Sequence, residues 1–363
     1  MGRDILDIDT SFARRFLPER LDLHDLEAVR LVLSGTSVID WHKLDLDTLD
    51  KVDAYLRISL IDPDDPTDME RLRFVFHQAI NYLEEHHAVR FPKELRSPDD
   101  VREIFIEAST WKGRFRRKQS IACMILKLMH TINHMEAADL KHRLAISEAE
   151  LFDRAEQAII KHADAMRREG YPLLAFYGSR KTRTSVISKL LSKRESIAAT
   201  IFDKLRFRIV VRHPEEVLPA LAHLTKTLFP VNYVIPGESH NNLVDLRALA
   251  KSNNHVRELS KKLQRLKAKD HEREPANPLS GSGYRIVNWI IDFPVRVDDV
   301  LPDTHAAAPY MLGRIVYVMV EFQVLDRQTE KLNDQGENSH DHYKDRQRKE
   351  VEGRLLKGSL RRR

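Results

Sequence analysis

The stretch Gly178-Ser-Arg-Lys-Thr-Arg-Thr-Ser-Val-Ile-Ser-Lys189 carries the most informative side chains of this sequence. It follows a short apolar run, Leu173 to Tyr177, set between Pro172 and Gly178, so it reads as the passage from a strand into a helix. A helix N-terminus presents unpaired N–H groups and the positive end of a dipole, and the two together can receive phosphate. Lys181, Ser185 and Lys189 recur at every fourth position, and such a step turns a helix by about 400°, which puts all three on one stripe. Two cations and a hydroxyl would then line a path of roughly 12 Å, the scale of a triphosphate. A solvated basic helix face is the commoner meaning of this spacing, and the stripe alone does not decide between them.

Acidic groups that could work beside such a stripe come from two further segments. In Ile201-Phe-Asp203-Lys-Leu-Arg206-Phe-Arg208-Ile-Val-Val211, a strand beginning near Arg206 places Arg206, Arg208 and Val210 on one face, with Asp203 where the chain enters. In Val318-Met-Val320-Glu321-Phe-Gln323-Val-Leu325, Glu321 and Gln323 project to one side of an otherwise apolar strand. A carboxylate in that setting is costly unless it is paired or bound to metal. Asp203 and Glu321 on strands of one sheet could hold Mg²⁺ with help from phosphate oxygens, or could simply be strand-end acids bonded to neighbouring arginines. A fourth segment, Ser280-Gly-Ser-Gly283-Tyr284-Arg285 with Asn288 beyond it, allows close backbone approach and exposes a tyrosine ring that could stack on a base. An ordinary hairpin loop has the same composition.

These residues need a scaffold, and the chain is long enough for two domains at 363 residues. With 42% hydrophobic and 32% charged residues, 12 Gly and 15 Pro, it has a globular composition rather than a low-complexity one. Lys and Arg total 60 against 55 Asp and Glu, a balance of only +5, so local clusters must carry any argument about anionic partners. The single cysteine, Cys123, excludes an internal disulfide framework and a multi-cysteine zinc site. Three aspartates among the first nine residues, and no apolar run near the roughly 18 residues of a membrane span, predict a cytoplasmic protein with no membrane partner.

Apolar residues recur at helical spacing over 21–61 and again over 69–91, with the Asp62-Pro-Asp-Asp-Pro-Thr-Asp68 break between them. Ser97-Pro98-Asp99-Asp100 predicts another helix start, and 121–128 is apolar nearly all round, as in the central helix of a bundle. Ser147-Glu-Ala-Glu150 has capping-box spacing and opens a helix that Gly170 closes. Beyond it, strands are predicted at 173–177, 206–212, 231–235, 286–297 and 314–325, with helices at 180–195 and 214–228. The reading is α+β: a helical domain over 1–146, a mixed sheet flanked by helices over 147–345, and a basic C-terminal tail over 346–363. Within the second domain, 240–275 is a basic insertion; its stretch 247–269 holds eight Lys/Arg against one acid in the pattern of one amphipathic helix.

In these places the sequence resembles the synthetase domain of the RelA/SpoT family, which makes the alarmone nucleotides (p)ppGpp. The family's R-x-K-x-x-x-S-I-x-x-K pattern is met by Lys181, Ser185, Val186 and Lys189, and its I-x-D-x-x-x-x-R-I-x-V pattern by Ile201, Asp203, Arg208, Ile209 and Val211. Gly283 and Tyr284 match the G-Y-x-S-x-H loop in part, Glu321 and Gln323 match E-x-Q, and His340, Tyr343 and Lys344 match H-x-x-Y-K. Order and spacing agree over about residues 150–345. The resemblance implies a nucleotidyltransferase-like sheet and transfer of a β,γ-pyrophosphate from ATP to a nucleotide 3′-hydroxyl, with GDP or GTP as acceptor and a role in the stringent response. By similarity Lys181, Ser185 and Lys189 hold the ATP phosphates, with Arg180 or Arg183 standing in for the family arginine whose place is Ser179 here. Arg208 packs on adenine, and Asp203 and Glu321 bind Mg²⁺, Glu321 also taking the proton of the attacking hydroxyl. Tyr284 stacks on the acceptor base, and Asn288, Gln323, His340 and Lys344 complete the acceptor side.

The acceptor pattern departs further, with Ile286 and Asn288 where the family has serine and histidine, and Leu325 where it has arginine. That opens an RNA 3′ end as acceptor, with tRNA or ribosomal RNA held by the basic insertion, and oligomerisation stays open. A nucleotide- or RNA-binding regulator without turnover, and a toxin that pyrophosphorylates tRNA, are the rival readings. In the helical half, His24-Asp25 lacks the later acidic pair of the hydrolase found in long family members, so hydrolase activity is not predicted. The pair His130 and His134 reads as a polar helix face, and Trp111-Lys-Gly-Arg-Phe-Arg-Arg-Lys118 as a basic helix start that could also touch RNA.

Overall fold

The structure, a computed structural model, describes residues 20–35, 41–109, 116–193, 201, 203–264, 283–301, 313–335 and 340–355. The start of the chain, most of the Trp111 basic segment, the first half of the Ser280 loop and the end of the basic insertion lie outside the described residues.

The first half is helical: α1 (Leu23–Ser34), α2 (Leu49–Ile58), α3 (Pro66–His87), the single turn α4 (Lys93–Arg96), α5 (Arg102–Ser109) and α6 (Arg117–Arg143). Asp65 caps α3 by accepting from the Thr67 N–H, with Pro66 at the first helical position. The helix that the sequence predicts at Ser97 begins instead at Arg102, because the Asp100 carboxylate, not the serine, accepts from the Arg102 N–H at 2.9 Å. After α7 (Glu148–Arg168), capped by Ser147 Oγ, the elements are β1 (Leu173–Arg180), α8 (Arg183–Lys193), β2 (Leu205–Val211) and α9 (Val217–Thr227). They continue with β3 (His240–Asn241), α10 (Leu246–Ser252), α11 (Asn254–Gln264), β4 (Val287–Arg296), β5 (Ile315–Asp326), α12 (Arg327–Asn333) and α13 (His340–Leu355).

The five strands form one mixed sheet in the order β1-β2-β5-β4-β3, in which β2 and β5 run parallel and the other neighbours antiparallel, so the α+β reading holds. Side chains alternate across a strand, and the register therefore sorts them onto two faces. One face is apolar and lies under helices: Leu205, Phe207 and Ile209 of β2, Val320, Phe322 and Val324 of β5, and Val287, Trp289 and Ile291 of β4 are all buried. Phe322 sits at its centre, with ring centroids 5.8 Å from Phe207, 5.7 Å from Phe229 and 5.6 Å from Trp289. The opposite face carries Ser179, Arg206, Arg208, Glu321, Gln323 and Asn288, aligned as Ser179↔Arg206↔Glu321 and Arg208↔Gln323↔Asn288.

Two apolar clusters stand behind this arrangement. One joins α2, α3, α5 and the first half of α6; the other joins the sheet to α1, α7 and α9 and takes in Leu140 near the end of α6. The first helix thus packs on the sheet rather than within the helical bundle, and α6 spans both clusters.

Two sequence-derived elements are corrected. The strand predicted at 231–235 is a tight 3₁₀ turn over Val231–Tyr233, closed by the Tyr233 N–H to Pro230 carbonyl bond of 2.9 Å, and only Val234 makes a bridge, to Ile291. The basic helix predicted at 247–269 is two helices, broken at Asn253, whose side chain accepts from the Val256 N–H at 3.1 Å. His130 and His134 lie on the seam where α6 meets the sheet. His134 stacks on Tyr317 at 4.0 Å and 5° and has Nδ1 3.3 Å from Asp292 of β4. Burial pulls His130 down to about 3, and the neighbouring His134 adds to that shift. Among the described residues no helix is long and apolar enough to cross a membrane.

Candidate functional site

The end of β1 delivers the chain to the polar face. Gly178 belongs to this strand rather than to a loop: a Cβ there would stand 3.1 Å from the Phe207 ring and 3.1 Å from the Glu156 carboxylate, so a side chain would require both to shift by a few tenths of an ångström. Thr182 then caps α8, its hydroxyl accepting from the Ser185 N–H at 3.3 Å. Lys181 consequently precedes the helix, and its N–H donates to the Lys204 carbonyl at 2.8 Å, prolonging the β1–β2 pairing. The single helical stripe predicted for Lys181, Ser185 and Lys189 is therefore corrected. Lys181 arrives from a strand end and Lys189 from the second turn of α8.

Their ammonium groups nevertheless meet on one carboxylate. Lys189 Nζ donates to Asp203 Oδ1 at 2.6 Å, and Lys181 Nζ donates to Asp203 Oδ2. Arg206, one turn of chain further on, spans both acids: Nη2 donates to Asp203 Oδ2 at 3.1 Å and Nε to Glu321 Oε2 at 2.7 Å. Glu321 Oε1 accepts from Gln323 Nε2 at 2.9 Å and from Asn288 Nδ2 at 3.1 Å. Arg208 Nε donates to Gln323 Oε1 at 3.0 Å and its Nη2 to the Tyr284 hydroxyl at 3.3 Å. One continuous polar chain thus runs from Lys181 to Tyr284. Asn288 Oδ1 is buried with no partner among the described residues.

Burial works against every charge in this chain, and the neighbours decide the outcome. Burial alone would raise Asp203, but Lys181 and Lys189 outweigh it and hold the carboxyl well below its ordinary range. Glu321 is likewise pushed up by burial and brought below its usual value chiefly by Arg206, assisted by Gln323 and Asn288. Burial brings Lys181 down to about 8; the attraction of Asp203 opposes this, and Lys189 and Arg206 add to it. Arg206 ends above its ordinary value because Glu321 and Asp203 more than offset its burial.

Not every predicted site residue arrives here. Arg180 points to the other face of the sheet, where it pairs with Glu156 and, at 2.6 Å, with Asp153 of α7. Replacing Arg180 by alanine is therefore expected to change the affinity for any polyphosphate taken up on the polar face by no more than about twofold in a calorimetric titration, as for a surface change away from a site. Lys344, predicted among the acceptor residues, meets Ser185 of the lysine helix instead: its Nζ donates to Ser185 Oγ at 3.2 Å, and Gln347 to Ser192 at 3.4 Å docks α13 on α8. His340 opens α13, and its side chain lies outside the described residues.

Two residues of this face escape a motif-based reading. Arg206 shares a strand face with Arg208 in the alternation, yet only its register opposite Glu321 reveals it as the bridge. Tyr177, 51% exposed, stands opposite Arg208 on the same face and offers a ring beside it. The magnesium ion that the resemblance implies does not fit the donor set as it stands. All four carboxylate oxygens of Asp203 and Glu321 already accept hydrogen bonds, and a guanidinium fills the space between them. Among the described residues no group of three or more His, Cys, Asp or Glu converges as a metal site.

No family model matches this chain, and no curated protein matches it. Solved structures are similar to part of it. The small alarmone synthetase 2 from Bacillus subtilis aligns at 16% identity and a TM-score of 0.30, over 57% of this chain and 90% of its own. Small alarmone synthetase 1 from Bacillus subtilis, bound to its product pppGpp, aligns at 14% identity and a TM-score of 0.29, over 58% and 94%. A GTP pyrophosphokinase family protein from Streptococcus pneumoniae aligns at 14% identity and a TM-score of 0.29, over 60% and 94%.

Proposed function

We propose that the polar face of the sheet binds ATP and that the chain transfers its β,γ-pyrophosphate to a nucleotide 3′-hydroxyl, as a GTP pyrophosphokinase-like transferase. The observation that supports this reading is the convergence of Lys181, Lys189 and Arg206 on Asp203 and Glu321, residues distant in sequence, at the mouth of a helix. The order of the five sequence motifs supports it independently.

In this reading Lys181, Lys189, Ser185 and Lys344 hold the phosphates, while Arg208 and Tyr177 flank the adenine. Tyr284, Asn288 and Gln323 face the acceptor. The acceptor 3′-oxygen attacks the β-phosphorus, its proton passes to Glu321, and the bridging oxygen leaves with AMP. Such a transfer depends on alignment and on neutralising charge, which fixed cations supply without reorganisation. GDP and GTP are the first acceptors to try. An RNA 3′ end is the next, since Lys251, Arg257, Lys261 and Lys262 lie exposed on α10 and α11.

The test is release of AMP and of a labelled product from labelled ATP with GDP, GTP or bulk tRNA, with and without Mg²⁺. Glu321→Gln is expected to slow the transfer by about 100-fold or more, the range of a lost general base. Absence of AMP with every acceptor would refute the transfer. A second reading, a nucleotide-binding regulator without turnover, is favoured by one observation: Glu321 is held by Arg206, Gln323 and Asn288, which lowers its basicity. It predicts ATP binding with no AMP.

A further inference from the structure

Arg206 lies where the two acids would otherwise share a cation. Its Nε is 2.7 Å from Glu321 Oε2 and its Nη2 3.1 Å from Asp203 Oδ2, so one planar group neutralises both carboxylates at once. A guanidinium has a fixed fork of donors and stays protonated, so it cannot vacate this place by losing a proton. The remaining oxygen positions are also taken, by Lys181 and Lys189 on Asp203 and by Asn288 and Gln323 on Glu321. A divalent ion entering here would need to displace donors from both acids and to sit beside three positive side chains.

The surplus charge of the cradle points the same way. Among the described residues Lys181, Lys189 and Arg206 share two acids, Asp203 and Glu321, and Lys344 adds a fourth cation that reaches Ser185. Such a cradle attracts a triphosphate most strongly when the triphosphate carries its full charge. Magnesium bound to the nucleotide in solution removes part of that charge and occupies phosphate oxygens that the lysines would take.

We propose that Arg206 takes the place of a divalent ion, so that this site binds the polyphosphate of a nucleotide free of metal. The inference rests on the nucleotide-binding reading above and goes beyond it in naming the ligand's form.

The experiment is calorimetric titration of the full chain with ATP in EDTA and, separately, in excess Mg²⁺. The expected result is binding in EDTA, weakened about threefold or more by Mg²⁺, as charge neutralisation of the ligand requires. Binding in EDTA that is equal to or weaker than binding in Mg²⁺ would overturn the inference and leave the nucleotide reading standing. No binding in either buffer would overturn the nucleotide reading, and the inference with it. A second measurement uses Mn²⁺ titrated against the protein alone and followed by electron paramagnetic resonance. The parent is expected to leave Mn²⁺ free, whereas Arg206→Ala, which frees Glu321 Oε2 and empties the space between the two acids, acquires Mn²⁺ binding and a triphosphate affinity that rises with metal. Tight Mn²⁺ binding by the parent would contradict the proposal, and the parent's titration does not depend on the variant folding.

Discussion

Replacing Asp203 with asparagine is expected to lower the unfolding free energy by about 3 kcal/mol, the scale of removing one partner from a buried ion network. In the same variant, inorganic triphosphate binds more tightly. Asp203 is only 7% exposed and is the shared counter-charge of Lys181, Lys189 and Arg206, so the asparagine variant leaves crowded cations with one acid, Glu321, to balance them. An added polyanion supplies the missing charge, and its stabilisation grows with occupancy, reaching about 2.7 kcal/mol at a hundredfold excess over Kd. Urea unfolding with and without triphosphate reads both effects. A variant that is destabilised and also loses triphosphate binding would show that Asp203 helps to hold the ligand through a metal, contrary to the reading of Arg206. The pH dependence has a definite sign. The folded carboxyl titrates below its ordinary value of 3.8, so its stabilisation is complete above that value and is lost as pH falls below it.

The double variant Lys181→Ala, Lys189→Ala is expected to lose at least about 100-fold in ATP affinity. Each lysine makes a charge-assisted contact worth roughly 1.5–3 kcal/mol, and the two together exceed the two decades that 2.8 kcal/mol represents. Circular dichroism must accompany the titration, since Asp203 then retains only Arg206 as a counter-ion. Lys181 adds a pH signature. Burial holds it at about 8 in the free protein, so it is charged and competent below that value, and the affinity of the parent falls as pH rises through it. Bound phosphate favours the charged form and raises the pKa, which makes the loss gradual. Lys181→Ala should flatten this profile; an unchanged profile would place the phosphates elsewhere.

How far the sequence alone reaches can be judged from particular residues. Strict alternation in β2 and β5 makes it legible that Arg206 and Arg208 share a face, as do Glu321 and Gln323, because a period of two is a local property. The register that brings Arg206 opposite Glu321 is set by pairing across 115 residues, and no local pattern contains it. The end of β1 is hidden for the same reason. Nothing between Gly178 and Lys181 forbids a loop or a helix start, and only the partner strand extends the pairing to Lys204. The Thr182 cap is local and is legible in the Thr-Arg-Thr-Ser sequence as a helix start after Lys181, whereas the face that Arg180 takes follows from the β1–β2 register. The amphipathic pattern of α1 shows that it must bury a face, yet leaves open whether the bundle or the sheet covers it. At 231–235 the β-branched residues favour a strand, while the chain closes a tight turn after Pro230.

The most direct test of the central claim is a crystal structure of the protein with a non-hydrolysable ATP analogue in metal-free buffer. The account predicts the phosphates within hydrogen-bond distance of Lys181 and Lys189 Nζ, the adenine beside Arg208 and Tyr177, and Arg206 still joining Asp203 to Glu321. Phosphates bound away from both lysines, with the Asp203 network undisturbed, would contradict it.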